Sequence, residues 1–134
     1  MNTPDRPLVL LVTVDHASGA ALARDLEPRS GVISVFSFEA ALEVVQSIRL
    51  GAVFTEPALT QFEPSGLDLL RFAEWAQPQA LRVLVAAEPP ADALERAHVV
   101  IKTPWTKSEL RLLDVLMHDP VERSLARLRA RWSS

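Results

Sequence analysis

The chain has 134 residues, 49% of them apolar and 23% charged, which suits one globular domain with a single core and would be a tight fit for two. It contains no cysteine, so disulfides, thiolate metal centres and cysteine nucleophiles are excluded. Fourteen basic against seventeen acidic residues give a net charge of -3, which argues against a chain built as a whole to neutralise nucleic-acid phosphates. The opening MNTPDRP has neither the basic region nor the apolar run of a secretion signal, and no apolar stretch reaches membrane-spanning length, so a cytoplasmic location is expected.

Residues 8–14 (LVLLVTV) form a nearly continuous apolar run, as a strand buried on both faces of a parallel sheet requires. Ser18 is placed to cap a first helix that presents Ala21, Leu22 and Leu26 on one face and stops near Pro28. Residues 32–36 (VISVF) give a second strand. Ser37 caps a second helix whose Ala41, Leu42, Val45 and Ile48 recur at helical spacing. Residues 51–55 (GAVFT) form a third strand, followed by a long loop from Glu56 to Gly66 interrupted by Pro57 and Pro64. The third helix turns Leu67, Leu70 and Ala73 inward, with Trp75 near its end as a half-buried packing residue.

Residues 81–87 (LRVLVAA) read as the fourth strand. After Pro89-Pro90, residues 91–97 leave room for about two turns of a fourth helix. Residues 99–101 (VVI) are a brief fifth strand. Thr106-Lys107-Ser108-Glu109 has the spacing of a capping box and starts a fifth helix with Leu110, Leu113 and Leu116 toward the core. Asp119-Pro120-Val121-Glu122 repeats the start signal, implying a separate terminal helix. Residues 1–118 are therefore expected to form the main domain and residues 119–134 an amphipathic basic helix.

Charge divides along the same boundary. Residues 120–134 carry four arginines against one glutamate, net +3, while residues 1–119 carry ten basic and sixteen acidic side chains, net -6. Val121, Leu125, Leu128 and Trp132 make an apolar stripe on the terminal helix, which must be covered by this domain, a second copy, a partner or an anionic surface. No Gly-rich phosphate loop is present, and His16, His98 and His118 form no ligand or catalytic pattern. The sequence gives no sign of an enzyme and calls for no cofactor or metal. His98, beside the fifth strand, reads as a surface or internally satisfied residue.

Five apolar strands alternating with helices imply a flavodoxin-like, doubly wound (βα)5 fold with a five-stranded parallel sheet, plus the extra C-terminal helix. Ligands on such sheets sit beyond the carboxyl ends of the strands. That selects residues 13–16, Glu56 and its loop, residues 86–88, and residues 102–105.

In element order, in Ser37-Phe38-Glu39-Ala40-Ala41-Leu42-Glu43, in Ser65-Gly66-Leu67-Asp68-Leu69-Leu70, and in Lys102-Thr103-Pro104-Trp105, the chain resembles the CheY-like receiver domain of response regulators. The resemblance spans residues 7–117. It implies a place in bacterial two-component signalling and a site where magnesium and an aspartate nucleophile support phosphoryl transfer. The chain lacks most of the groups that this chemistry needs.

The phosphoacceptor position falls on Glu56, whose extra methylene displaces the carboxylate from in-line geometry, so no phosphorylation is expected there. Glu56 then either mimics a phosphorylated charge or is a solvated loop residue. The acidic pocket is reduced to Asp15 and Glu56. In one register Thr13 and Val14 take the paired acidic positions; in the other Asp15 and His16 do. Ala86 or Ala87 replaces the switch hydroxyl. Lys102 lies one residue ahead of the family lysine position, where Thr103 intervenes, and either reaches Glu56 as an ion pair or projects into solvent.

The resemblance thus implies a degenerate receiver, a pseudo-receiver acting as a phosphorylation-independent interaction module. The alternative is a regulator still sensing a small ligand, cation or phosphoryl group at the remnant site. The expected partner is a protein or a second copy, bound through the face of the fourth helix, fifth strand and fifth helix together with Trp105, Leu125, Leu128 and Trp132 of the chain's C-terminal third. Nucleic-acid or membrane attachment through the arginine-rich tail is the weaker option.

Overall fold

The computed structural model describes residues 8–27, 30–59 and 65–118. Five strands, β1 (Leu8–Val12), β2 (Gly31–Val35), β3 (Ala52–Thr55), β4 (Leu81–Ala86) and β5 (Val99–Lys102), form one sheet in the order β2-β1-β3-β4-β5, every neighbouring pair parallel. The connections are α1 (His16–Leu26), α2 (Phe38–Ser47), α3 (Gly66–Ala76) and a single 3-10 turn, Ala93–Glu95; α4 (Lys107–His118) follows β5. This is the doubly wound parallel architecture that the strand pattern requires.

Side chains alternate along each strand, so the sheet carries two cores. Val9, Leu11, Phe54, Val83 and Ile101 face α1 and α4, meeting Leu22, Leu26, Leu110, Leu113 and Leu116. Leu10, Val12, Val53 and Leu84 face the other way, against Ala41 and Val45 of α2 and Leu69, Leu70 and Ala73 of α3. Both faces of β1 and β3 are thus buried, which is why those segments are almost wholly apolar.

Several local expectations need correction. Asp15, not Ser18, caps α1: its extended backbone lets Oδ1 accept the Ala17 N–H at 3.0 Å, while the Ser18 hydroxyl donates to Oδ2 at 2.8 Å. Those bonds, the Ser18 hydroxyl first and the Ala17 amide next, hold the Asp15 carboxyl below the usual aspartate range. The fourth helix is only one 3-10 turn, because twelve residues separate β4 from β5 and that is about the shortest parallel crossover. Ile48 lies beyond the end of α2 and is exposed. Trp75 is 79% exposed, on the side of α3 opposite the buried Leu70 and Ala73.

Other expectations hold. Ser37 caps α2, and the Thr106–Glu109 capping box closes reciprocally ahead of α4, with Thr106 N–H donating to Glu109 Oε1 at 2.8 Å and Glu109 N–H to Thr106 Oγ1 at 3.2 Å.

The shortened crossover leaves a charged side chain inside. Arg82, at the second position of β4, is 2% exposed on the α3 side; its Nε donates to the Arg96 carbonyl at 2.7 Å and its guanidinium lies 3.5 Å from Glu74. His98 is buried as well, its Nδ1 accepting the Arg82 backbone N–H at 3.0 Å. That acceptor role requires an unprotonated Nδ1. Residues 119–134, with the proposed terminal helix and its Leu125, Leu128 and Trp132, lie outside the described residues.

Candidate functional site at the strand ends

The chain runs from β1 to β2 on one side and returns to place β3 on the other, so the strand order switches at β1 and opens a crevice at its carboxyl end. A cleft of about 380 Å3 lies there, lined by Thr13, Ser18, Leu22, Glu56, Val85, Ala86, Ala87, Thr103, Pro104 and Trp105. Four of the five strand ends contribute to it.

Glu56 stands at the centre. Its N–H donates to the Val12 carbonyl at 3.2 Å, continuing the β1–β3 ladder one residue past β3. Its side chain turns back so that Oε1 accepts the Val14 N–H at 2.8 Å. Glu56 therefore ties the segment after β1 to the end of β3 through both backbone and carboxylate. The Glu56 carbonyl is held in turn by the Thr55 hydroxyl, which donates at 2.9 Å. Gly66, the first residue of α3, lies directly over that carbonyl: a Cβ there would overlap the Glu56 oxygen, and its N–H donates to Pro57 at 2.8 Å. The absence of a side chain at Gly66 lets α3 start against the strand end.

The first wall of the cleft comes from the segment after β1 and from α1. Thr13, 4% exposed, lines the cleft, its Oγ1 over Gly19 of α1, where any Cβ would collide with it. Val14 points outward at 49% exposure, and Asp15 is engaged at the α1 cap and is not among the lining residues. Of the two carboxylates proposed for a remnant acidic pocket, Glu56 lines the cleft among the described residues, whereas Asp15 stands behind the lining Ser18, whose hydroxyl donates to it. His16, the first residue of α1, is exposed and packs its ring 4.0 Å from that of Phe36.

The opposite wall is apolar. Ala86 and Ala87 both line the cleft and bring no hydroxyl. Lys102 pairs with Ala86 in the β4–β5 ladder but is exposed and does not line the cleft; no ion pair joins it to Glu56 among the described residues. Strand alternation gives that position to Thr103, whose N–H donates to the Ala86 carbonyl at 3.1 Å and whose peptide to Pro104 is cis. Trp105 closes the rim, half-buried, its Nε1 donating to Asp25 of α1 at 2.8 Å.

Solved structures provide the comparison. The signal receiver domain of an HD domain-containing protein from Pseudomonas fluorescens Pf-5 superposes with a TM-score of 0.75 at 22% identity, over 92% of this chain and 97% of that one. The chain has the receiver fold. A CheY-like response-regulator receiver domain from Methylobacillus flagellatus gives a TM-score of 0.75 at 19% identity, covering 84% of this chain and 99% of that one. The receiver domain of a sensor histidine kinase from Pseudomonas aeruginosa PAO1, solved with magnesium coordinated in its active-site cleft, gives 0.74 at 16%, covering 86% and 100%. No protein-family sequence model matches the chain, and no curated protein matches it in sequence.

The receiver fold raises the question of magnesium. That ion needs near-octahedral oxygen coordination and usually more than one hard anionic ligand. Among the described residues this cleft offers one carboxylate, with one oxygen already bonded to the Val14 amide, and no group of three or more His, Cys, Asp or Glu side chains converges as a metal site. The residues present do not fit the ion. Among these features, the Glu56–Val14 tie, the Trp105–Asp25 bond and the Arg82–His98 pairing are all long-range, and periodicity carries no signal for them.

Proposed function

We propose that this chain is a receiver-fold signalling module whose output does not depend on phosphorylation, and that it works by binding a protein partner rather than by catalysis. The observation that carries this reading is the state of Glu56. Its carboxylate is engaged by a backbone amide at 2.8 Å, with Thr13, Ala86, Ala87 and Thr103 around it in place of further anionic ligands, a switch hydroxyl or an inward cation. A carboxylate that accepts the Val14 amide through one oxygen serves as a structural tie, and the described residues around it do not supply the charge that stabilises a transferred phosphoryl group. Similarity to receiver domains of signalling proteins supports the placement in two-component regulation.

Two exposed residues on α4, Leu112 at 48% and Val115 at 49%, lie one turn apart and support the outer face of α4 as part of the contact surface. The test is an amide NMR titration with magnesium and beryllofluoride, which mimics a bound phosphoryl group. No saturable change is expected at Thr13, Ala87 or Thr103, nor at Leu112 and Val115. Saturable changes at the cleft that spread to α4 would overturn the reading.

A further inference from the structure

We propose that the cleft binds the ammonium group of a small primary alkylamine, with Glu56 as its counter-ion. This rests on the reading that the cleft performs no phosphoryl chemistry, and names what it takes instead.

Four observations converge. The first is size: about 380 Å3 falls within the range of small-molecule pockets. The second is charge. Glu56 is half-buried, and among the described residues no Lys, Arg or His side chain forms an ion pair with it; Lys102, the cation nearest in sequence to the lining residues, stays exposed outside. Oε1 is committed to Val14, leaving Oε2 for a ligand.

The third is the wall chemistry. Leu22, Val85, Ala86, Pro104 and Trp105 give an apolar surface unsuited to a strongly hydrated dication, but suited to a short alkyl chain. The fourth is hydrogen-bond matching. An ammonium carries three N–H donors and no acceptor. The cleft brings the Glu56 carboxylate and the hydroxyls of Thr13 and Thr103, neither of which makes a hydrogen bond to another described residue. A Trp at the rim adds a surface that attracts organic cations.

The experiment titrates the isotope-labelled full chain with n-butylammonium chloride. Neutral n-butanol serves as a shape control, and sodium and magnesium chlorides as ionic controls. The expected result is saturable movement of the Val14, Ala87 and Thr103 amides and of the Trp105 indole N–H with butylammonium alone. Glu56→Gln keeps an oxygen for the Val14 amide and so retains the fold, which amide dispersion verifies. It should weaken butylammonium by about tenfold or more through loss of the charged partner. No saturation with butylammonium, equal response to butanol, or undiminished affinity in Glu56→Gln overturns the proposal. Any of those results without a phosphoryl adduct after acetyl phosphate treatment removes the ligand and leaves the functional reading standing; an adduct removes that reading.

Discussion

Replacing Glu56 by alanine should loosen the end of β1 while leaving the rest of the sheet unaltered. The carboxylate accepts the Val14 N–H at 2.8 Å across 42 residues of sequence, so its removal opens a tie between two strands that no local contact replaces. Hydrogen bonds to charged groups contribute about 1.5–3 kcal/mol when well shielded. Here Val14 is 49% exposed and Glu56 half-buried, so water competes at both ends and about 0.5–1 kcal/mol is the appropriate magnitude. That corresponds to a two- to fivefold rise in exchange of the Val14 amide, about 1–5 °C off the Tm, and little change at Val53 or Leu84. Glu56→Gln, which retains the acceptor, should stay within about 0.5 kcal/mol of the native chain. Hydrogen exchange followed by NMR reads the effect residue by residue. Unchanged protection of Val14 in Glu56→Ala would refute the structural role of this carboxylate and the account of the site built on it.

Three further substitutions probe other parts of the structure. Gly66→Ala puts a Cβ onto the Glu56 carbonyl, a backbone atom that cannot move aside, so a loss of about 1–3 kcal/mol is expected in denaturant unfolding; a Tm equal to the native value would contradict the close approach of α3 to β3. Leu113→Ala removes a side chain 1% exposed between α4 and the sheet, and should cost about 2–5 kcal/mol with an unchanged m-value. Asp15, whose carboxyl is held below its ordinary range, stabilises the fold above that range, and the contribution is lost as pH falls through the lowered folded value. Asp15→Asn should therefore be less stable than the native chain near neutral pH and converge with it in acid; a gap that persists in acid would contradict the charged cap.

The architecture was legible because buried parallel strands leave a strong record. LVLLV, AVFT and LRVLVA are strands with both faces covered, and the spacing of Leu110, Leu113 and Leu116 gives the packed face of α4. The fourth crossover was overestimated because seven residues after a Pro-Pro pair hold two turns only if none is spent on the connection. The cap of α1 was misassigned because Asp15 and Ser18 are both good cap residues, and the first with extended backbone takes the role.

At the site, the identities of Glu56, Ala86, Ala87 and Thr103 could be read from the strand ends, but not their directions. A strand reverses its side chains at every residue, so whether Lys102 or Thr103 enters the cleft depends on register, and the structure gives that place to Thr103. Asp15 lies three residues past β1, where its carboxylate serves the cap of α1 and accepts from the Ala17 amide and the Ser18 hydroxyl. Arg82 gave no warning at all, since a lone arginine in an apolar run is compatible with an edge or a core; the Arg96 carbonyl and Glu74 are among the groups that make its burial tolerable.

The central claim is that the strand-end cleft has kept its place in the receiver fold without the chemistry of phosphoryl transfer. Intact-mass measurement of the full chain after incubation with acetyl phosphate and magnesium tests it most directly. The unmodified mass is expected; stoichiometric gain of one phosphoryl group, abolished by Glu56→Gln, would contradict the loss of that chemistry.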